Sequence, residues 1–324
     1  MPLITESDYN PPLPFKSGHL QTIYPALFRR VEGVAYERER IETPDGDFLD
    51  LDWVKVGADR VVILSHGLEG RTGRGYMRGM ARTLARHGWD VLAWNFRGCS
   101  GEPNRLLRSY HSGVSDDLAI VVLHALDVHG YAQAALVGFS LGGNITLKYL
   151  GERSHRLDAR IRAAVTFSVP CALDAGAARI DQNTNWIYRE RFLKDLRKKV
   201  QQKHALFPDK LDVTGLDRIP TLRAFDDRYT APLHGFKDAA DYYARCSSLP
   251  LIPYISIPTL LINATDDPFL PEACYPAEAA RHHRCFHLEM PRYGGHVGFV
   301  AFGDAGAYWS EQRTAAFLAA EVAG

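Results

Sequence analysis

The pentapeptide Gly138-Phe139-Ser140-Leu141-Gly142 constrains this chain more than any other stretch. It matches G-x-S-x-G and joins two unlike segments. Ala134-Ala135-Leu136-Val137 reads as a strand buried on both faces, and Leu141–Tyr149 reads as an apolar helix. A serine at so sharp a strand-to-helix turn projects its Oγ above the end of a sheet, and a glycine two residues either side leaves room for the turn. The helix that begins at Leu141 aims the positive end of its dipole at negative charge developing near that hydroxyl. The pattern therefore predicts an α/β protein with a nucleophile at the C-terminal end of a parallel strand.

A serine hydroxyl is a weak nucleophile and needs a general base oriented by a carboxylate. On this scaffold the chain order is serine, acid, histidine. Downstream, the strand Thr259–Ile262 runs into Asn263-Ala264-Thr265-Asp266-Asp267-Pro268-Phe269. Both aspartates stand just past a strand end, and both are also candidates to cap the following helix. The count from the strand, and the turn forced by Pro268, favour Asp267 over Asp266. Next, Gly294-Gly295-His296-Val297-Gly298 follows the strand Phe286–Met290. Its glycines predict a flexible loop through which the imidazole reaches the serine. Histidine, with an ordinary pKa near 6.5, takes and returns protons at neutral pH. The predicted triad is Ser140, Asp267 and His296. Two backbone amides are needed for the oxyanion, and position assigns them to Leu141 and to Leu68 in the loop Ser65-His66-Gly67-Leu68-Glu69-Gly70.

Other features exclude more than they suggest. Gly70, Gly73 and Gly75 fit neither G-x-x-x-x-G-K-[ST] nor G-x-G-x-x-G, so nucleotide binding is not expected. His124 and His129 fall in or at the end of a predicted helix. His282, His283 and His287 resemble a metal cluster superficially, but no carboxylate or cysteine stands at a ligand spacing with them, and no metal is expected. Lys and Arg total 38 and Asp and Glu total 38, which gives no reason to expect nucleic acid or an anionic membrane as partner. Arg197-Lys198-Lys199 reads as a solvated helix face. The five cysteines are scattered without a C-x-x-C pair, which favours free thiols in a reducing, cytoplasmic setting. The first residues lack the basic start and apolar core of a signal peptide, and no run of 18 apolar residues marks a membrane span.

The 324 residues are 46% apolar, enough for a sizeable core. After a proline-rich, irregular start, two alternating strands (Tyr36–Glu42 and Phe48–Lys55) flank a Pro44-Asp45-Gly46-Asp47 turn. Strand and helix patterns then alternate: Val61–Leu64, Tyr76–Arg86, Val91–Trp94, Asp117–Val128 with Ser115 or Asp116 as N-cap, Ala134–Val137, Leu141–Tyr149 and Ala163–Phe167. Residues 171–254 break the alternation with helical patterns at Trp186–Gln202 and Lys237–Cys246. Alternation resumes at Thr259, with a helix near Glu272–Arg281 and a last one near Tyr308–Val322. The expectation is a core of residues 1–170 and 255–324 and a helical cap of residues 171–254 lying over the ligand crevice. The cap carries Trp186, Tyr188, Phe192, Phe207, Phe225, Tyr229, Phe236, Tyr242 and Tyr243, from which an apolar acyl pocket is expected.

Taken together, His19-Leu20-Gln21-Thr22, the segment Thr43–Trp53, Ser65–Gly70, Asn95–Gly101, Gly138–Asn144, Phe225-Asp226-Asp227, Asp266–Phe269 and Gly294–Phe299 resemble the YheT-like family of α/β-hydrolases, bacterial relatives of ABHD-type esterases and lipases. The resemblance implies a mostly parallel sheet with helices on both faces, a cytoplasmic and cofactor-free carboxylic ester hydrolase, a small-molecule ester substrate, and triad positions at Ser140, Asp267 and His296. It leaves the natural ester, the oligomeric state and the roles of His19 and Arg97 open. The rival readings are an amide or thioester hydrolase, a C–C hydrolase or lyase, and a non-catalytic binding protein on the same fold.

Overall fold

The computed structural model describes residues 3–303 and 306–322, so the extreme ends of the expected core lie outside the described residues. Its strands are β1 (Leu3–Ile4), β2 (Glu37–Glu42), β3 (Phe48–Val54), β4 (Arg60–Ser65), β5 (Asp90–Asn95), β6 (Gln133–Phe139), β7 (Ile161–Phe167), β8 (Thr259–Ile262) and β9 (Phe286–Glu289). They form one sheet in the order β1-β9-β8-β7-β6-β4-β5-β3-β2. Pairing is parallel except where β3 runs against β2 and β5. β4 pairs with β5 on one side and β6 on the other. The chain therefore turns one way after β4 and the other way after β6, and the crevice above their C-terminal ends is the switch point at which such sheets bind ligands.

The continuous apolar runs are explained by helices on both faces. Along β4, Val61 and Ile63 enter one apolar core while Val62 and Leu64 enter the other. β6 divides in the same way, with Leu136 on one side and Val137 on the other. Full burial of each such side chain contributes about 1.5–3 kcal/mol. The helices are α1 (Gly18–Phe28), α2 (Gly75–Arg86), α3 (Ser115–Leu123), α4 (Leu141–Arg153), α5 (Leu173–Ile180), α6 (Trp186–Leu206), α7 (Leu222–Phe225), α8 (Ala231–Leu233), α9 (Ala239–Cys246), α10 (Ala277–His282) and α11 (Trp309–Val322). α2 and α11 supply Met77, Met80, Leu84, Phe317 and Leu318 to one core. α3, α4 and α10 cover the opposite face with Leu118, Ile145 and Ala280. Between β7 and β8, helices α5–α9 enclose apolar clusters of their own, including Leu193, Val200, Leu222 and Phe225.

Four expectations need correction. The N-terminal stretch read as irregular contains the helix α1 and the edge strand β1, whose two residues are too few to show a period. Neither Ser115 nor Asp116 caps α3. Val114 holds the cap position without a side-chain bond, and Ser115 Oγ donates instead to Glu152 Oε2 at 2.6 Å. The patterned stretch to Val128 is not all α-helix, because His124–Val128 is a π-turn. Lys199 is not on a solvated face: its Nζ lies 2.9 Å from Glu69 Oε1, with both side chains largely buried.

Candidate active site

Ser140 occupies the turn between β6 and α4 with φ 53° and ψ −118°, a conformation that a non-glycine residue rarely adopts. The glycines two residues either side have no room for a side chain. A Cβ on Gly142 would stand 2.4 Å from the carbonyl oxygens of Ser65 and His66, and one on Gly138 would stand 2.6 Å from Gly142 O. Leu141 is the first residue of α4, so its N–H has no acceptor within the helix.

The three distant stretches meet. His296 Nε2 lies 2.8 Å from Ser140 Oγ, and His296 Nδ1 lies 2.9 Å from Asp267 Oδ2. A carboxylate only accepts, so Nδ1 carries the proton and Nε2 is left to accept from the serine hydroxyl. Asp267 is fully buried at its side chain and His296 is 11% exposed. The Phe269 amide donates to Asp267 Oδ1 at 2.9 Å, and the Phe269 ring stands 4.4 Å from the imidazole. Asp266 takes a different part. Its Oδ1 accepts from Gly295 N–H at 2.8 Å, and burial raises its carboxyl above the usual range. It braces the histidine loop through that bond.

That loop is braced rather than flexible, against the sequence reading. His296 N–H donates to Thr22 Oγ1 and Val297 N–H to Ser168 Oγ, both at 2.9 Å. The glycines serve close approach to α1: a Cβ on Gly295 would meet Gly18 O at 2.3 Å, and one on Gly298 would meet Gln21 O at 2.3 Å. Thr22 lies in the segment His19-Leu20-Gln21-Thr22, in which the role of His19 is open. His19 itself places Nδ1 2.9 Å from the Tyr188 hydroxyl of α6, tying α1 to the segment between β7 and β8.

The loop after β4 is held in the same manner. Gly67 N–H donates to Tyr76 Oη at 3.0 Å and Glu69 N–H to Tyr110 Oη at 2.9 Å. Of these three consecutive amides, only that of Leu68 has no acceptor among the described residues. Tyr110 also donates to Glu69 Oε1 at 2.6 Å, the oxygen that pairs with Lys199. Tyr76, Tyr110, Ser168 and Lys199 carry no motif in the sequence; only tertiary packing reveals them.

His66 anchors the base of this loop. Its Nδ1 donates to Gly67 O at 2.8 Å and its Nε2 accepts from Phe96 N–H at 3.1 Å, so both bonds require the neutral ring. Burial pushes its pKa down to about 3. Below the ordinary value of about 6.5 the unfolded chain takes up a proton that the folded chain refuses, so stability falls as pH drops toward 3, by up to about 1.4 kcal/mol per pH unit from this group. Unfolding free energies at neutral and mildly acidic pH should show that slope, and His66→Asn should flatten it. An unchanged slope in that variant would contradict the assignment.

Two cavities open on Ser140 and His296. The first runs between the core and α5–α9 and is lined chiefly by apolar side chains, among them Leu173, Ile180, Leu196, Val200, Leu211, Leu222 and Phe225. Of the nine aromatics between residues 186 and 243 singled out in the sequence, Phe192, Phe225, Tyr229, Tyr242 and Tyr243 line it, whereas Trp186 is exposed. The second opens beside α1, between Ile23, Arg74, Tyr188 and Arg191. His282 and His283 take part in local contacts with Glu278 and with the amides of Cys285 and Phe286. Arg97 is buried in an ion cluster with Asp45, Asp47 and Asp117. No described helix is long and apolar enough to cross a membrane.

A family profile described as alpha/beta hydrolase fold matches residues 60–299. YheT of Escherichia coli (strain K12) is 36% identical over 303 residues, covering 91% of this chain and 88% of its own. The Mus musculus phospholipase ABHD3 is 29% identical, covering 92% of this chain and 74% of its own. The solved structure of a Pyrococcus furiosus esterase superposes with a TM-score of 0.60 at 19% identity, over 91% of this chain and 96% of that one. With its elbow, its switch-point crevice and these relatives, the chain belongs to the α/β-hydrolase fold family, among its YheT-like members.

Proposed function

We propose that the chain is a serine-dependent carboxylic ester hydrolase working through an acyl-serine intermediate. The reading rests on one observation: the hydrogen-bonded line from Ser140 Oγ through His296 to Asp267 at the end of a strained elbow. His296 Nε2 takes the hydroxyl proton as Oγ attacks the ester carbonyl, and Asp267 holds the imidazole and its developing charge. The oxyanion forms at the Leu68 and Leu141 amides. Each such donor contributes on the order of 3 kcal/mol to the transition state. The protonated histidine passes its proton to the departing alcohol. Water, activated by the same ring, then frees the acid.

In this reading residues 171–254 are a cap over a core of residues 1–170 and 255–324, and the cavity between the core and α5–α9 takes an apolar acyl chain. All five cysteines are free thiols, which suits the reducing cytoplasm.

A panel of p-nitrophenyl esters of increasing chain length, with matched thioesters and anilides, tests the proposal. Esters with medium or long chains are expected to be cleaved fastest. Leu196→Trp, which fills the cavity wall, should shift the preference to short chains. Faster cleavage of anilides than of esters would replace the ester reading with an amidase. Loss of all acyl-transfer activity in the folded protein would favour a binding protein.

A further inference from the structure

At the sheet edge remote from Ser140, three side chains converge that the ester chemistry does not use. We infer that Glu39, His124 and His129 form a binding site for a divalent cation of the zinc class. Glu39 Oε1 lies 2.9 Å from His124 Nε2, and Glu39 Oε2 lies 3.1 Å from His129 Nε2. The candidate ligand atoms all lie within 4.8 Å of one another. Tetrahedral zinc, with bonds of about 2.1 Å, needs donors roughly 3.4 Å apart, so small side-chain rotations suffice.

The chain builds this convergence locally. The two histidines are five residues apart, a spacing that separates side chains on an α-helix. The π-turn His124–Val128, closed by the His129 N–H to His124 O bond at 3.2 Å, brings both rings to one side. Glu39 comes from β2, where alternation sends its flanking Arg38 and Arg40 to the opposite face to pair with Asp52 and Asp50. Among the described residues no lysine or arginine pairs with Glu39, so its charge is left to the histidines. Trp53 Nε1 donates to Glu39 Oε2 at 2.7 Å, orienting the carboxylate as an outer-shell partner does. The three side chains are 14% to 33% exposed, which leaves an entry path and a coordination position for water. Two imidazoles and a carboxylate suit zinc, nickel or copper rather than calcium or magnesium. A bound ion would clamp the edge strand β2 to the end of α3.

The test is calorimetric titration of the chelator-treated, full-length protein with zinc, backed by competition against a chromophoric chelator. The expected result is one saturable equivalent at micromolar affinity or tighter, and a higher Tm with zinc. His124→Ala, His129→Ala and Glu39→Gln should each weaken binding by at least about tenfold, whereas His282→Ala at an exposed histidine should leave it unchanged. Because the His129 ring packs 4.5 Å from Trp53, His124→Gln and His129→Gln provide milder variants. Absence of saturable binding by the folded protein would overturn the proposal, and so would affinity unchanged in the three ligand variants. Either outcome leaves the esterase reading untouched, because none of the three residues lines a cavity at Ser140.

Discussion

Replacing Ser140 by alanine is expected to lower kcat for a p-nitrophenyl ester by about a million-fold while Tm stays close to that of the parent. The size follows from the way the three groups act as a unit. Without the hydroxyl, His296 has nothing to deprotonate except water, and no acyl-enzyme forms. On the proposed mechanism what remains is the oxyanion site, which alone should sustain about a thousand-fold over the uncatalysed rate. His296→Ala should cost about as much, because serine without its base is as inert as base without its serine. Folding should survive, since among the described residues Oγ bonds only to His296, and the elbow is held by Gly138, Gly142 and the Ser140 N–H to Phe167 O bond at 2.8 Å. A variant that keeps more than a small fraction of wild-type kcat would remove Ser140 from the mechanism.

Arg97→Met is expected to produce the largest loss of stability, about 3–5 kcal/mol at neutral pH. The guanidinium is almost fully buried and makes a two-pronged contact with Asp117, at 2.8 and 2.7 Å, and further bonds to Asp45 at 2.9 Å and Asp47 at 3.2 Å. Methionine fills much of the space but leaves Asp47 and Asp117 buried without their cation. Asp47 also accepts from Asn104 Nδ2 and from the amides of Phe48 and Arg105, so the damage reaches the loop at residues 104–106. That loop carries the carbonyl of Asn104, to which Lys203 of α6 donates at 2.7 Å.

Acidity gives this prediction a signature. Burial alone would raise the Asp47 carboxyl, but the Asn104 and backbone hydrogen bonds and the Arg97 charge outweigh it and hold it below the usual carboxylate range. A group depressed in the folded state stabilises above its ordinary pKa and loses that contribution as pH falls. The stability gap between the parent and Arg97→Met should therefore narrow as pH falls from 7 to below about 4. An equal gap across that range, measured by denaturant unfolding, would mean that the cluster is not the source.

The parts of this molecule that were legible in sequence are those in which local pattern and global fold agree. β4, β6 and β8 are continuous apolar runs because both their faces are covered, and a glycine-flanked serine at the end of one such run has few other uses. Chain order and strand ends single out Asp267 and His296, whose side chains the fold brings into line with Ser140. The choice between Asp266 and Asp267 turned on a count of one residue, and the geometry separates their contacts cleanly. What the sequence hid was tertiary. Tyr76 and Tyr110 seal the amides either side of Leu68 from separate elements. Lys199 sits in a basic triplet that looks solvated until α6 is laid against Glu69. The glycines around His296 suggest flexibility in one dimension and close packing in three. The π-turn at His124 breaks the helical period by one residue, which periodicity cannot register. His66 reads as a motif residue, yet its buried, neutral ring is scaffolding.

The most direct measurement is reaction of the folded protein with a fluorophosphonate probe, followed by mass spectrometry of the peptides. One label per chain, carried on the Ser140 peptide and abolished in both Ser140→Ala and His296→Ala, is the expected result. Label on another residue, or none on protein that still cleaves esters, would contradict the account.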